Sequence, residues 1–245
     1  MKVLVCGKGG TGKSTLTALL AKEVAGRQRR VLVVDSDESN FGLANLLGMD
    51  KPRDFMEYFG GKKVLFEKVK TLQAGLTTAE LPGEFVSHKG NIRLIAVGKI
   101  YDFGEGCACP INALAAKFLE SLRLEPDEFL VADTDAGVEH LGRGVERGCD
   151  VLLAVVEPSR ESRELALRIA AMVGNLGKEL YYVLNKIDDE NEEAVMDSLP
   201  RDRVIASLPS DRRIARCGLE GSEPTFKLEG VSRIADLLTA PAKAD

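Results

Sequence analysis

The sequence predicts an α/β fold: a single doubly wound, mostly parallel sheet with helices on both faces. Two observations indicate this class. Short apolar runs alternate with helical patterns along the chain, and the apolar runs are nearly uninterrupted, as in strands that are buried on both sides. The chain has 245 residues, 44% of them hydrophobic, so it can bury one large core. No Pro/Ser-rich linker or repeat interrupts it, and we expect one domain over residues 1–245.

The predicted elements follow one another in α/β order. The predicted strands are residues 2–6, 31–34, 92–97, 129–132, 151–156, 180–184 and 204–206, and the predicted helices are residues 14–25, 111–122, 162–176 and 231–238. The stretch 52–91 is the least regular part of the chain. Ligands of such sheets bind beyond the carboxyl ends of the strands, and the residues expected there are Gly7, Asp35, Asp133, Glu157 and Asn185. For Glu157, the start of a loop is a sufficient explanation.

Charge and composition exclude several classes of protein. The net charge is −5 and the basic residues are dispersed, so no nucleic-acid partner is expected. The apolar run at the start is too short for a signal peptide, and no run approaches the roughly 20 apolar residues of a membrane span. Five cysteines, an odd number, in a chain without export signals predict reduced thiols. We therefore expect a cytoplasmic protein with no membrane partner.

A phosphate-binding motif lies between the first predicted strand and the first predicted helix. It has the pattern G-x-x-x-x-G-K-[ST] and consists of Gly7, Lys8, Gly9, Gly10, Thr11, Gly12, Lys13 and Ser14. The glycines allow backbone N–H groups to surround a phosphate at a helix N-terminus. Lys13 is expected to bridge the β- and γ-phosphates, and Ser14 to bind magnesium. The strand and helix on either side argue against a chance glycine-rich turn, and the motif predicts a P-loop NTPase that binds ATP or ADP.

Carboxylates at two further strand ends are candidates for the same site. Asp35 and Asp37 follow the second predicted strand, and Asp133 ends a strand of Walker B form. Phosphoryl transfer depends on positioned water and Mg²⁺ more than on covalent chemistry. One carboxylate can orient the attacking water, and another can hold the water shell of the metal. An aspartate at a strand end is common by itself, and it is the P-loop beside it that favours a nucleotide role.

Lys8 identifies a narrower resemblance. The string Gly-Lys-Gly-Gly-x-Gly-Lys-Ser-Thr at residues 7–15 resembles the deviant Walker A motif of the MinD, ParA and nitrogenase iron protein group. The resemblance implies a homodimer in which Lys8 reaches the nucleotide of the partner, although a solvated loop lysine is the alternative. It also implies that Thr15 contacts phosphate and that Asp37 orients water.

The same resemblance extends to the base-binding side. Asn185, followed by Lys186, corresponds to the residue that reads adenine, and Pro209 and Asp211 correspond to the loop that closes over the base. The segment 133–144 resembles the second switch.

One branch of this group matches over nearly the whole chain. Cys107-Ala-Cys109, the segment 133–144 and the segment 155–160 resemble the CooC-type accessory ATPases, which help place nickel in carbon monoxide dehydrogenase. This resemblance implies carbon monoxide dehydrogenase as the client partner. Two departures are present: Glu38 stands where many relatives have proline, and the stretch 52–91 aligns with nothing in the branch.

The cysteine pair itself has the character of a metal site. Cys107 and Cys109 precede a helix that Pro110 can open, a position that favours thiolate. In an extended segment, residues i and i+2 point the same way, so both sulfurs can face one ion. Two thiolates are half of a four-sulfur set, which a symmetric dimer would complete. The resemblance indicates nickel, and zinc is also compatible. The alternative is that these two are small core cysteines. For Cys6, Cys149 and Cys217 we expect only a packing role.

Two other functions remain open at this stage. A positioning switch of the MinD/ParA kind would need a membrane or DNA contact, for which neither an amphipathic tail nor a basic patch is present. An iron–sulfur donor like the nitrogenase iron protein would need a cysteine in the second switch, and residues 133–144 contain none. An ATP-driven metallochaperone is the leading prediction.

Overall fold

An eight-stranded sheet forms the centre of the protein in a computed structural model, which describes residues 1–61, 74–101, 109–138, 141–174 and 176–240. In chain order the strands are β1 (Lys2–Gly7), β2 (Arg30–Asp35), β3 (Leu76–Thr77), β4 (Ser87–Lys89), β5 (Ile92–Ala96), β6 (Leu122–Arg123), β7 (Glu128–Asp133), β8 (Val151–Val156), β9 (Glu179–Ile187) and β10 (Val204–Pro209). The order in the main sheet is β10-β9-β8-β1-β7-β2-β5-β4, and β3 pairs with β6 separately.

Helices cover this sheet on both sides. The α-helices of the described residues are α1 (Lys13–Gly26), α2 (Leu43–Leu47), α3 (Cys109–Ser121), α4 (Arg160–Gly174), α5 (Glu192–Met196), α6 (Arg212–Glu220) and α7 (Glu229–Thr239). No helix in the described ranges is both long and apolar enough to cross a membrane.

The predicted fold class is confirmed, and all seven predicted strands and four predicted helices are present within a few residues of their predicted ends. Neighbouring strands of the main sheet are parallel except β4 and β5, which are antiparallel. The sequence did not predict β4, because it has only three residues and two of them are exposed. Residues 62–73, in the least regular stretch, lie outside the described residues.

Alternating residues of each central strand supply two separate cores. In β1, Val3 and Val5 belong to the core that packs under α1 and α7. Leu4 and Cys6 belong to the core that includes residues of α3 and α4. Because side chains of a strand point to opposite faces in turn, a strand with cores on both faces must be apolar throughout. This explains the uninterrupted apolar runs from which the fold was predicted.

The order of the strands determines where the functional residues meet. β1 lies between β7 and β8, and β2 lies beyond β7, so the carboxyl ends of these four strands share one edge. Asp35 and Asp133 stand side by side in the register of β2 and β7, and Gly7 stands beside Val155 of β8. The strand order reverses at β1, because later strands are added on both sides of it. In α/β proteins, such a reversal leaves a crevice at the carboxyl ends of the strands, and ligands bind there.

Candidate nucleotide-binding site

The loop between β1 and α1 has a backbone that only glycine tolerates at two positions. Gly7 has φ 140°, and a Cβ there would lie 2.6 Å from the carbonyl oxygen of Val155. Gly12 has φ 95°, and a Cβ there would lie 2.4 Å from Nδ2 of Asn185. Both distances are shorter than real contacts, so Gly7 and Gly12 are required by φ and by close approach.

The loop forms a cradle for an anion. Lys13 is buried, and its ammonium donates to the carbonyl oxygen of Lys8 at 3.3 Å, which holds the side chain across the loop. Thr11, which has no exposed surface, donates from Oγ1 to the same carbonyl at 2.9 Å. Gly12 caps α1 without a side-chain hydrogen bond, so the first N–H groups of the helix remain available. Together these groups fit a phosphate at the positive end of the helix.

The magnesium side of the cradle contains two buried carboxylates, Asp35 and Asp133, each with one oxygen that has no hydrogen-bond partner among the described residues. Asp133 is fully buried; Thr17 donates to its Oδ1 at 3.4 Å, and its Oδ2 has no hydrogen-bond partner among the described residues. Burial, followed by the charge of Asp35, raises the pKa of Asp133 to about 7. Ser14, the predicted magnesium ligand, accepts a hydrogen bond from Nδ2 of Asn40 at 2.6 Å. A buried oxygen without a donor beside a P-loop serine fits a metal ion with its water shell.

A buried lysine holds the loop after β2 (residues 36–42), which we call the first switch, against this site. Lys99 has 1% of its surface exposed and forms an ion pair with Oδ2 of Asp35 at 2.8 Å. Its ammonium also donates to the carbonyl oxygens of Asp37 and Asn40. Burial raises the pKa of Asp35 to about 6 even though the charge of Lys99 opposes that shift. Lys99 therefore fixes the loop after β2 to the strand end.

The first switch contains a tight turn around Asp37. Oδ1 of Asp37 accepts from the backbone N–H of Ser39 at 2.9 Å, from Oγ of Ser39 at 2.7 Å and from the N–H of Asn40 at 3.1 Å. Glu38 is buried beside it, and one carboxylate oxygen of each of Asp37, Glu38 and Asp135 lies within 4.8 Å of the others. Burial raises the pKa of Glu38, and the carboxylates of Asp135 and Asp37 add to this shift.

Lys8, the residue expected to act across a dimer, is bound within its own chain. Its ammonium lies 2.9 Å from Oε1 of Glu157, and the ammonium of Lys186 lies 3.0 Å from Oε2 of the same carboxylate. The hydrogen bond that Lys8 donates to Glu157 raises the pKa of Lys8. Burial tends to raise the pKa of Glu157, but the hydrogen bonds from Lys8 and Lys186 outweigh it, and that pKa is lowered. Glu157 thus restrains both lysines.

A cavity of about 500 Å³ opens beside the cradle, at the place expected for a base. Its lining includes Thr15, Asn185, Pro209 and Asp211. Asn185 donates from Nδ2 to the carbonyl oxygen of Thr11 at 2.7 Å, which joins the end of β9 to the P-loop. A volume of this size and a mixed polar and apolar lining suit a nucleoside. The structure therefore brings the expected phosphate and base residues together around one crevice.

Asp211 and Lys186, which line the cavity expected to hold the base, are held in place by hydrogen bonds within the chain. Asp211 caps α6, accepting from the N–H of Arg213 at 2.8 Å, and pairs with the guanidinium of Arg213 at 2.6 Å. Lys186 has φ 59°, which is rare for a residue with a side chain, and its ammonium donates to the carbonyl of Gly10 at 2.6 Å. Strained backbone conformations cluster at functional sites but also occur in turns, as at Gln28 after α1, which has φ 64°.

The cysteine pair is described only in part. Cys107 lies outside the described residues, as do residues 139–140 of the expected second switch. Cys109 is the first residue of α3 and not part of an extended segment, so the i and i+2 alignment assumed from the sequence does not apply to it. The guanidinium of Arg143 lies 3.4 Å from its sulfur. Cys6 and Cys149 are buried, as expected, and burial raises the pKa of each to about 12.

Two residues that shape the site, Lys99 and Asn40, were not predicted from the sequence, and a third, Glu157, was expected at this edge of the sheet only as the start of a loop. Glu157 follows the apolar strand β8, and its position at the correct edge was the available signal. Lys99 and Asn40 carry no pattern of their own, because their partners lie about 60 and 26 positions away in the chain. Only the folded chain shows that they connect the first switch to Asp35 and Ser14.

The chain is similar to known nucleotide-binding proteins along most of its length. It is 46% identical to an uncharacterised ATP-binding protein of Methanocaldococcus jannaschii, covering 98% of this chain and all of that protein. It is 28% identical to the carbon monoxide dehydrogenase accessory protein CooC of Rhodospirillum rubrum, over 84% of this chain and 85% of that protein.

Solved structures share the fold. The septum site-determining protein MinD of Pyrococcus horikoshii, complexed with Mg-ADP, superimposes with a TM-score of 0.70 at 20% identity, over 97% of this chain and 95% of that one. Residues 2–225 match the family described as the CobQ/CobB/MinD/ParA nucleotide binding domain, and the chain belongs to that family.

Proposed function

We propose that the protein is an ATP-hydrolysing, dimerising switch of the cytoplasm that assists nickel insertion into carbon monoxide dehydrogenase. The observation that carries the ATPase part is the cradle: Lys13 lies across a glycine-rich loop whose helix N–H groups are available, next to two buried carboxylates with unpartnered oxygens. A base-sized cavity opens on its other side. Neither a nucleic acid nor a membrane is part of the proposal.

Each residue of the cradle has a different role in the proposed hydrolysis. Lys13 and the N–H groups of α1 neutralise the phosphate oxygens in the ground state. Ser14, with Asp35 and Asp133 behind it, holds magnesium, which supplies charge at the phosphates. Asp37 orients the attacking water. In the structure its Oδ1 is occupied by the turn at Ser39 and Asn40, so Oδ2 is the oxygen left to receive a hydrogen bond from water.

Lys8 supplies the dimer-dependent part of the mechanism. In the single chain its ammonium pairs with Glu157 on the surface of the molecule. A partly exposed ion pair is held weakly because water screens it. When a second chain presents a triphosphate, Lys8 exchanges the single carboxylate for several phosphate oxygens. Dimerisation therefore responds to the number of phosphates on the nucleotide, which makes the protein a switch.

Metal delivery rests on the similarity to CooC and on the cysteine pair. Nickel or zinc is cargo in this proposal, bound by Cys107 and Cys109 of two chains as a four-thiolate set. Cys109 lies at the N-terminus of α3 with a guanidinium beside it, and both features favour a thiolate. Zinc would be tetrahedral, whereas Ni²⁺ with thiolates can be square-planar.

The experiment measures metal per dimer. Protein purified anaerobically with Mg-ATP is loaded with Ni²⁺ or Zn²⁺, gel-filtered and analysed by mass spectrometry of the elements. We expect one ion per two chains, loss of the ion with Cys107→Ser combined with Cys109→Ser, and retention with Cys217→Ser, a cysteine outside the pair. ATP binding should survive in all variants.

One observation favours a second candidate, a dimerising switch of the MinD/ParA kind without a metal role. The described nucleotide site is assembled without a cysteine. If the double serine variant carries as much metal as the wild type, or the wild type binds none, this second function replaces metal delivery while the ATPase proposal stands.

A further inference from the structure

Three carboxylates from two loops meet beside the cradle. We call Asp37, Glu38 and Asp135 the acidic trio; one oxygen of each lies within 4.8 Å of the other two. Asp37 and Glu38 belong to the loop after β2, and Asp135 to the loop after β7. Because β2 and β7 are paired with Asp35 beside Asp133, the two loops leave the sheet next to each other. The trio thus joins the two loops that flank the phosphate site.

A separate observation indicates a missing ligand. Glu38 has only 8% of its surface exposed, and its Oε2 is buried with no hydrogen-bond partner among the described residues. A buried carboxylate oxygen without a donor is unfavourable unless a proton or a cation occupies it.

Among the described residues, no basic side chain forms an ion pair with the trio. Lys99 contacts the same loop, but its ammonium pairs with Asp35 and donates to the backbone carbonyls of Asp37 and Asn40. Three carboxylates with such short separations repel one another, and a divalent cation relieves that repulsion.

We propose that the acidic trio binds one hard divalent cation, such as Mg²⁺ or Mn²⁺, without any nucleotide, and that this ion ties the two loops together. Three oxygens around one octahedral Mg²⁺ include at least two adjacent pairs, which are roughly 3.0 Å apart because each oxygen lies about 2.1 Å from the ion, so pairs at the 4.8 Å limit need to close by up to about 2 Å. Water completes the coordination. This ion is additional to the magnesium at Ser14, and the inference does not depend on nickel delivery.

The test uses Mn²⁺ alone on the nucleotide-free full-length protein, with free Mn²⁺ followed by electron paramagnetic resonance. We expect one Mn²⁺ per chain, displaced by Mg²⁺, and a loss of roughly tenfold or more in affinity for Glu38→Gln and for Asp135→Asn, because each removes a charged ligand. Glu190→Gln, an exposed glutamate elsewhere, should bind as the wild type does. Ser14→Ala should also bind as the wild type does, since the proposed ion does not use Ser14.

Melting temperatures distinguish a lost ion site from a variant that fails to fold. With chelator present, Glu38→Gln should melt at or above the wild-type temperature, because an amide beside Asp135 replaces a like charge. Added Mn²⁺ should raise the melting temperature of the wild type and leave that of Glu38→Gln unchanged. No Mn²⁺ binding below about 1 mM, unchanged affinity in Glu38→Gln, or loss of binding in Ser14→Ala would overturn the proposal. The last result would assign the ion to the nucleotide's magnesium site and leave the ATPase proposal intact.

Discussion

Replacing Asp133 with Asn should stabilise the nucleotide-free protein, and more at pH 8 than at pH 5. Asp133 is fully buried, and burial with the charge of Asp35 raises its pKa from 3.8 to about 7. In the pH range between these values, the folded chain holds a proton that the unfolded chain releases. The wild type therefore loses stability as pH rises from about 4 to about 7, and the variant has no such proton to lose.

The size of the effect follows from the two pKa values. A pKa difference of about three corresponds to about 4 kcal/mol at 1.36 kcal/mol for each factor of ten. The pKa of Asp35 is raised to about 6, and removing the charge of Asp133 makes Asp35 easier to ionise. Because the two carboxylates titrate together, the free energy of about 4 kcal/mol cannot be assigned to Asp133 alone. We expect Asp133→Asn to stabilise the protein at pH 8 by about 2 to 4 kcal/mol in total, or roughly 4 to 16 °C in melting temperature for a chain of this size. Because part of this stabilisation is already present at pH 5, the difference between the two pH values is at most about 3 kcal/mol, which is 1.36 kcal/mol for each of the two pH units from 5 to 7.

The assay is thermal unfolding by circular dichroism, with chelator and without nucleotide, for wild type and variant at both pH values. The difference between the two pH values is the readout, since a lost hydrogen bond from Thr17 would shift both equally. Asp127→Asn is the matched control, because Asp127 is exposed just before β7 and the hydrogen bond from Arg30 lowers its pKa. That group stays ionised at pH 5 and pH 8. An Asp133→Asn effect of equal size at both pH values refutes the reasoning.

Three further predictions concern the nucleotide site. Lys13→Ala should lose most Mg-ATP affinity in calorimetry, whereas Asp37→Ala should still bind but hydrolyse slowly, since the proposal assigns the phosphate contact to Lys13 and the orientation of water to Asp37; equal loss of binding in both would contradict this division. Gly12→Ala should weaken nucleotide binding and stability together, because its Cβ would lie 2.4 Å from Nδ2 of Asn185; Gly26→Ala, where no atom lies within 4 Å, should leave binding unchanged. Glu157→Gln should lower the ATP concentration needed for dimerisation by releasing Lys8, and a rise in that concentration argues against restraint by Glu157.

Much of the fold could be predicted because its signals are local. A strand buried on both faces must be apolar throughout, and a loop that wraps phosphate needs glycine at fixed positions, so β1, the P-loop and α1 were all visible in the sequence. The strand β4 was not visible, because it is short and its residues are polar. Its place beside β5 depends on pairing, not on the pattern of its own residues.

The sequence predicted those residues of the candidate site that belong to a local motif, but not the contacts between residues that are distant in the chain. The sequence indicated Lys8, Lys13 and the strand-end aspartates, each from its position next to a strand or a glycine. It did not indicate that Glu157 binds Lys8, since the two residues are 149 positions apart and meet only because β1 and β8 are neighbours. Lys99 was missed for the same reason. The contacts of Glu157 and Lys99 join residues that are distant in the sequence, whereas the P-loop motif is a short continuous segment.

The measurement that tests the central claim most directly is sedimentation velocity on the Asp37→Asn protein. Asparagine retains the oxygen that accepts from Ser39 and Asn40, so the turn is kept while the charge that orients water is removed. Mg-ATP should convert this variant from monomer to dimer, Mg-ADP should leave it monomeric, and adding Lys8→Ala should prevent the dimer with ATP. The same sedimentation coefficient with ATP and ADP, at saturating nucleotide, would contradict the claim that triphosphate binding drives this protein to dimerise.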